Sequence, residues 1–411
     1  MKDVELQKLI AEEVGRQNET INLIASENLA SLDVLAALGS PLSNKYSEGY
    51  PGARYYPGNG IYDQIELLAQ ERALRLFGLS PGEWAVNVQP LSGSPANVAI
   101  YSALMAYGET FMAMGLSCGG HLSHGHKVSL SGKWWRAVHY AVDPETGLID
   151  YEAVRELALR EKPKVIVAGF TAYPGTVDFA KFGEIAREAG AYLVADISHI
   201  AGLIAAGLHP SPYPYADVVM TTTHKTLRGP RGAVIFSRKD ERKLNEKIDK
   251  AVFPGMQGGP HNNVTAAKAV AFFEALGPEF REYQKQVVEN ARVLAEELVA
   301  QGFSLLTSGT DTHLMLLDMR KFGVDGKSAE MILEKAGIMA NRNSLPGDEK
   351  PLKPSGVRLG TPAVTTRGMK EAEMKLIASF FARLFIQKED PQSVRGDAET
   401  LCARFPLFYK E

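Results

Sequence analysis

Cysteine is almost absent from this chain. Of 411 residues only Cys118 and Cys402 carry a thiol, far apart in sequence. That excludes a disulfide framework and a cysteine-rich zinc site, and it suits a reducing compartment. A surplus of one charge is lacking too. Lys and Arg number 45 against 48 Asp and Glu, a formal charge of −3. So near neutrality, the whole chain has no electrostatic case for nucleic acid as its main partner or for an anionic membrane. Long apolar runs are also missing. Stretches such as Val98–Tyr107 fall short of the roughly 20 residues that cross a bilayer. The opening MKDVELQKLIAEEVGRQNET is charged, with Leu6, Leu9, Ile10 and Val14 on one helical face, unlike a secretory or transit segment. A cytoplasmic protein is expected.

What is present is ordinary globular composition, 45% hydrophobic and 23% charged. At about 150 residues per domain the length implies two or three domains. The segment NKYSEGYPGARYYPGNGIYD concentrates five of the fifteen tyrosines, Tyr46, Tyr50, Tyr55, Tyr56 and Tyr62. Its Gly and Pro density predicts an ordered loop or a partner surface rather than a regular element. From about Asn87 to Ser237 apolar runs alternate with helical patterns. Val165–Phe170, Ala191–Ile197, Ala216–Thr223 and Gly232–Phe236 read as strands, and Phe179–Gly190 reads as a helix. Continuous β-branched runs with intervening helices predict an α/β fold, a mostly parallel sheet sandwiched by helices. Beyond Gly277–Pro278 the pattern changes. A helix over Arg281–Gln301 and a strand over His313–Met319 predict a smaller α+β C-terminal domain. The expected division is a helical arm over 1–45, a large α/β domain over 46–278 and a small domain over 279–411. The mixed-charge run Arg238–Lys250, with six basic and four acidic residues, is expected to be a solvated helix face.

Three features carry chemistry. Ser92-Gly93-Ser94-Pro95 precedes an apolar-periodic helix, with Ser94 suited to the N-cap and Pro95 to the first turn. Such an end attracts phosphate through its free N–H groups and dipole. Asp196 ends the apolar run of AYLVADISH, at the strand edge where ligands bind in open parallel sheets. It serves either as a cap for the next turn or as a buried partner for a cation, and His199 follows three residues later. Lys225 stands in TTTHKTLRGPRG, directly after an apolar strand and before a Gly-rich turn. A lysine becomes a nucleophile where its surroundings favour the neutral amine. Phosphate site, strand-end carboxylate and strand-end lysine together are what pyridoxal phosphate requires.

The segments IASEN (Ile24–Asn28), KYSEGYPGARYY (Lys45–Tyr56), VQPLSGSPAN (Val88–Asn97), GGHLSHG (Gly119–Gly125), TTTHKTLRGPRG (Thr221–Gly232), FPGMQGGP (Phe253–Pro260) and SGVRLGTPA (Ser355–Ala363) occur in this order. Together they resemble the serine hydroxymethyltransferase family. The resemblance implies the aspartate-aminotransferase type of pyridoxal phosphate fold (fold type I) and a homodimer, or a pair of dimers, with active sites shared between subunits. The implied reaction moves the hydroxymethyl carbon of serine to tetrahydrofolate, giving glycine and 5,10-methylenetetrahydrofolate. Lys225 is then the Schiff-base lysine, Asp196 the partner of the pyridine nitrogen and His121 the residue stacked on the ring. Gly93, Ser94 and His224 would surround the phosphate, and Thr171 and His199 the ring hydroxyl. Arg358, assisted by Ser26, would clamp the amino acid carboxylate. Tyr46, Glu48, Tyr55, Tyr56 and Gly259 would reach in from the neighbouring subunit, with Arg231 orienting them. Glu48 would move a proton between serine and the folate, and Tyr56 would stand beside it. Leu116, Gly120, Leu122 and Asn343 match positions near the pterin.

Other readings compete. A folate-independent threonine aldolase would share the cofactor site, and a non-catalytic or RNA-binding relative would tolerate loss of Lys225, Asp196 or Arg358. The presence of Glu48, Tyr56 and Asn343 favours a folate user. His121, His124 and His126 lie close in sequence, but on a glycine-broken loop without carboxylates, so no metal is expected. His139, His209 and His313 read as structural. Departures from the family pattern are Leu91, Cys118 and Met256, and a short loop over Pro346–Gly356.

Overall fold

A computed structural model describes residues 2–348 and 353–409. The chain divides into two compact units. One comprises Ala30–Thr171 and Thr176–Gln284, the other Met1–Leu29, Ala172–Gly175 and Lys285–Glu411.

In the first unit the sheet follows from the apolar runs. Its strands are β1 (Trp84–Asn87), β2 (Thr110–Met114), β3 (Arg136–Tyr140), β4 (Val165–Gly169), β5 (Tyr192–Asp196), β6 (Val218–Thr222) and β7 (Ala233–Arg238), in the order β1-β7-β6-β5-β4-β2-β3. Strands β2 to β6 pair in parallel, and β7 runs antiparallel to both β6 and β1. Every residue of β4 and β6 is buried, as a parallel sheet covered on both faces demands. The covering helices start and stop where local chemistry directs. Asp150 accepts from the N–H groups of Glu152 and Ala153 to open Tyr151–Glu161, and Asp178 accepts from Lys181 N–H to open Phe179–Ala189. Gly190, at φ +68°, closes the latter. Its Phe179, Phe182, Ile185 and Ala186 recur at helical spacing and are buried, the stripe that seats a helix on a sheet.

The tyrosine-rich segment is a tight hairpin, Gly49–Tyr50 pairing with Ala53–Arg54. The charge run is not one solvated helix face. Arg238 ends β7, the helix covers only Leu244–Lys250, and Asp249 accepts from Asn87 Nδ2 at 2.8 Å. Burial pushes the Asp249 carboxyl up to about 6 against that hydrogen bond, with the Glu66 charge adding to the rise.

The second unit carries an antiparallel sheet of β8 (Ser304–Leu305), β9 (Leu314–Asp318), β10 (Asn341–Asn343) and β11 (Gly356–Gly360), ordered β8-β9-β11-β10. Its core gathers Leu294 and Leu298 from the helix Pro278–Ala300 with Leu333, Ile377, Phe381 and Leu401. Ile21–Asn22 pairs in parallel with Ile338–Met339, so the N-terminal residues belong to this core. The preceding helix, Val4–Glu19, is capped by Asp3 and buries none of its residues. Among the described residues no helix is long and apolar enough to cross a membrane.

Candidate active site

Parallel pairing sets Asp196 and Lys225 at the same edge of the sheet. Asp196 is the last residue of β5, in register with Met220 of β6, and Lys225 follows three residues after β6 ends. Adjacent strands lie about 4.8 Å apart, so both side chains sit at the C-terminal edge where open α/β sheets bind ligands. Both are buried.

One oxygen of Asp196 caps the next turn, and the other meets side-chain donors. Oδ1 accepts from Ser198 N–H at 3.1 Å and from Ser198 Oγ at 2.6 Å, which caps the next turn. Oδ2 accepts from Asn97 Nδ2 at 3.0 Å and faces His124 Nε2 at 3.1 Å. Burial alone would raise its pKa, but the donors of His124, Ser198 and Asn97 outweigh it and hold the carboxylate well below its usual range. An anion so supported stays ionised beside a cationic ring nitrogen.

His124, Asn97 and Ser123 are site residues that sequence reasoning missed. His124 is 1% exposed. The backbone N–H of His121 donates to His124 Nδ1 at 3.2 Å, which leaves the ring proton on Nε2, aimed at Asp196. Asn97 Nδ2 also donates to Ser123 Oγ at 2.9 Å, and Ser123 Oγ lies 2.8 Å from His121 Nδ1. His121 is thus tied to Asp196 by two routes, one through His124 and one through Ser123 and Asn97. His139 Nε2 supports the loop at the His124 carbonyl, 3.1 Å away, and His209 Nε2 accepts from Val177 N–H at 3.3 Å. His126 Nδ1 accepts from Val128 N–H at 3.4 Å, so the three loop histidines serve different partners. Among the described residues no group of three His, Cys, Asp or Glu side chains could hold a metal.

The phosphate-type end is the helix Gly93–Leu104. Its N-cap is Ser92, two residues before the expected Ser94, and no side chain caps it. Ser94 therefore lies in the first turn and is exposed. Free N–H groups of such a turn remain available to an anion. A Cβ on Gly93 would come within 2.8 Å of Thr222 Cγ2, so this helix end lies against the end of β6. Two buried atoms at or just past that strand end, Thr222 Oγ1 and His224 Nδ1, lack a hydrogen-bond partner among the described residues. Burial, then the charges of Lys225 and Arg231, pulls His224 down to about 3. An unfolded histidine takes a proton near 6.5, whereas the folded one refuses it until about 3. Across that window the unfolded chain binds more protons, so stability falls as pH drops, by at most about 1.4 kcal/mol per pH unit. In the cofactor-free protein, His224→Gln is expected to flatten the urea midpoint against pH between 6.5 and 4. An unaltered slope would show that the ring is not held neutral.

Of the remaining expected residues, Thr171 N–H donates to Gly119 O at 2.7 Å, placing it on the His121 loop. The His199 carbonyl accepts from Thr226 Oγ1 at 2.9 Å, one residue past Lys225. Leu116 and Leu122 are exposed at 37% and 47% on either side of Gly120. A Cβ on Gly120 would collide with Met114 O at 2.0 Å, so the loop turns tightly there. Arg231 is exposed.

A second group forms around the hairpin. Tyr46 and Tyr56 rings lie 5.5 Å apart, and Cβ atoms built on Gly258 and Gly259 would meet Glu48 Oε1 at 3.2 Å and the Tyr46 ring at 3.1 Å. Tyr46, Tyr55 and Tyr56 are exposed at 62%, 73% and 45%. The Tyr55 ring lies edge-on to Phe253 at 5.6 Å, and the hairpin itself is firmly held. Arg54 pairs with Asp63 at 2.8 Å and with Glu66 at 2.7 Å, and donates to the carbonyls of Ser47 and Gly49 on either side of Glu48.

Ser26, Arg358 and Asn343 belong to the second unit. Arg358 lies mid-strand in β11 opposite Asn341 and Leu316, buried, with Nε donating to Asn341 Oδ1 at 3.2 Å and Nη2 to Ser26 Oγ at 3.3 Å. Burial pulls the guanidinium down to about 10, against the Glu27 charge, so it remains cationic at neutral pH. Asn343 ends β10 and donates to Ser344 O at 2.7 Å. In the short loop over Pro346–Gly356, residues 349–352 lie outside the described residues.

The family model for serine hydroxymethyltransferase matches residues 1–381. The chain belongs to that family. It is similar to the serine hydroxymethyltransferase of Acidothermus cellulolyticus, at 55% identity over 98% of this chain and 91% of the relative. That of Coprothermobacter proteolyticus is 52% identical over 99% and 97%. The mitochondrial serine hydroxymethyltransferase of Eremothecium gossypii is 48% identical over 100% and 86%. The α/β architecture with a mostly parallel sheet is the fold type I of this pyridoxal phosphate-dependent family.

The site fits that cofactor. An uncapped helix N-terminus lies against the end of β6. There the Thr222 hydroxyl and, two residues on, the His224 imidazole nitrogen are buried without a partner among the described residues, polar groups suited to an anion. An ionised carboxylate stands ready at the end of the neighbouring strand.

Proposed function

We propose that Lys225, Asp196, His121 and the residues around them carry the chemistry of the family in this chain. The chain is a pyridoxal phosphate-dependent serine hydroxymethyltransferase, interconverting serine plus tetrahydrofolate with glycine plus 5,10-methylenetetrahydrofolate. Relatives of 52–55% identity bear that name, which favours this reading over a folate-independent aldolase. The observation that carries the assignment of residues is the placing of Asp196 at the end of β5 and of Lys225 three residues past the end of its parallel neighbour β6, beside an uncapped helix.

Bound pyridoxal phosphate supplies an electron sink for the pair left on the amino acid α-carbon. The chain's own residues do the rest. Lys225 would hold the cofactor covalently. Asp196, kept ionised by His124, Ser198 and Asn97, would keep a proton on the ring nitrogen, and His121 would cover the ring face. Gly93, Ser94 and His224 would receive the phosphate, while Thr171 and His199 would surround the ring hydroxyl. Arg358, with Ser26, binds the substrate carboxylate through a planar fork. Glu48 moves a proton at the serine hydroxyl beside Tyr56, and Leu116, Gly120, Leu122 and Asn343 border the folate. Tyr46, Tyr55, Tyr56, Glu48 and Gly259 serve a neighbouring subunit, with Arg231 orienting them. The exposed tyrosines, and the apolar Leu6, Leu9 and Ile10 on a helix with nothing buried, support a homodimer or a pair of dimers. A cytoplasmic location, and the division into an arm over 1–45, a large domain over 46–278 and a small one over 279–411, belong to the same reading.

Asp196→Asn tests it. An amide cannot hold the ring nitrogen protonated, so solvent exchange of the glycine α-proton should fall at least about a hundredfold while the protein stays folded. Near-normal exchange would remove Asp196 from the cofactor.

A further inference from the structure

Lys268, on the helix Asn262–Ala275, is 1% exposed. A buried ammonium needs three acceptors, and here it has them. Its Nζ donates to Val88 O at 2.6 Å, Ala233 O at 2.9 Å and Pro90 O at 3.0 Å. None of these is a carboxylate, so this is no ordinary ion pair. Burial pulls Lys268 down to about 7 with the Glu66 charge opposing, and three carbonyl dipoles add to what keeps the proton. The acceptors are informative by position. Val88 and Pro90 lie between the end of β1 and Ser92-Gly93-Ser94, and Ala233 opens β7 directly after Arg231 and Gly232. Pro90 O also accepts from Ala233 N–H at 3.3 Å, which closes the two segments on each other. Gly232 leaves room for the lysine stem, since a Cβ there would come 2.5 Å from Lys268 Cε. On its far side the same turn is tied by Gln89, whose Nε2 donates to Gly49 O at 2.9 Å beside Glu48.

We infer that Lys268 is a positioning residue: its ammonium, bound to three carbonyls, fixes the two strand-end segments that shape the cup for the cofactor phosphate. The inference rests on the reading of Ser92–Ser94 and His224 as that cup. The role is specific to the phosphate, because one fixed segment leads directly into the helix turn of Gly93 and Ser94, whereas the ring partners Asp196 and His121 stand on other elements. Lys268 acts through the three carbonyls to which its nitrogen is bound.

The test compares pyridoxal phosphate with pyridoxal, which lacks the phosphate, as ligands of the wild-type, Lys268→Met and Gly232→Ala proteins. Binding is followed by absorbance well below each melting midpoint. Wild-type protein should prefer pyridoxal phosphate strongly. Lys268→Met should bind it at least tenfold more weakly, with pyridoxal affinity changed less than twofold. Amide exchange in the cofactor-free variant should quicken over residues 90–97 and 229–233. Gly232→Ala keeps the charge but crowds its stem, and should reduce the same preference. It decides the matter should Lys268→Met fail to fold. A preference unchanged in the folded variants, or an equal loss for both ligands, would overturn the role. A wild-type protein with no preference would instead overturn the phosphate cup itself, leaving the two failures distinct.

Discussion

Lys225→Ala abolishes serine conversion, by roughly a thousandfold or more, and borohydride then leaves no cofactor on the chain. The expectation follows from position. Lys225 stands three residues past the end of β6, buried, one strand over from Asp196. Lys268 is also buried, but its nitrogen is committed to Val88, Pro90 and Ala233. A free amine has one N–H fewer than an ammonium, so attack by Lys268 would strip a buried carbonyl of its partner. The phosphate cup does not involve the Lys225 nitrogen, so cofactor should still bind the variant, reversibly and removable by dialysis. Mass spectrometry after reduction reads the result directly. Reduced cofactor recovered on another lysine of Lys225→Ala would end the assignment.

Strand-level reading of the sequence located most of what matters, for a physical reason. A strand buried on both faces needs an unbroken apolar run, so a polar residue at its end stands out. Asp196 after Leu193-Val194-Ala195 and Lys225 after Val218–Thr222 are visible on that ground. His124, Asn97 and Ser123 were not. They are separated in sequence from Asp196 by 72 residues or more, and only the parallel pairing of β2, β4 and β5 brings their segments together. A histidine two residues from another suggests a metal cluster as readily as a tautomer held by a backbone N–H. The helix N-cap falls at Ser92 rather than Ser94, and no side chain caps it, so a serine with capping chemistry did not mark the boundary. The solvated-face reading of Arg238–Lys250 failed at Asp249, since charge counts say nothing of an Asn87 waiting on a neighbouring strand. Nor does spacing reveal Lys268, which follows two alanines in a helical run and has no sequence mark of a buried cation. Its three acceptors come from segments 35 to 180 residues away.

The hairpin leads to the second large effect. Glu48→Gln is expected to keep the cofactor and to cleave a bulky β-hydroxy amino acid without folate, yet to lose folate-dependent serine conversion by about 10²–10⁴-fold. Cleavage of a bulky substrate needs the electron sink and a base. Transfer from serine also needs a group that exchanges a proton beside the folate, and an amide cannot. The substitution preserves shape, and the hairpin does not depend on the carboxylate. Arg54 binds the Ser47 and Gly49 carbonyls around it and is itself anchored by Asp63 and Glu66. Glu48 is only half-buried, and its companions Tyr46, Tyr55 and Tyr56 are exposed within the chain, as expected of residues proposed to complete another subunit's site. Mixing Glu48→Gln with Lys225→Ala should therefore restore activity. In a mixed dimer one site combines native Lys225 from one chain with native Glu48 from the other, while the second site carries both lesions. At full exchange with equal proportions, half of the dimers are mixed and each holds one sound site out of two, so activity should approach a quarter of wild type. Parent variants measured alone give the baseline, and native mass spectrometry with one isotopically labelled parent verifies exchange. Verified exchange without recovery would mean that Glu48 acts within its own chain, and the exposed tyrosines would then need another partner.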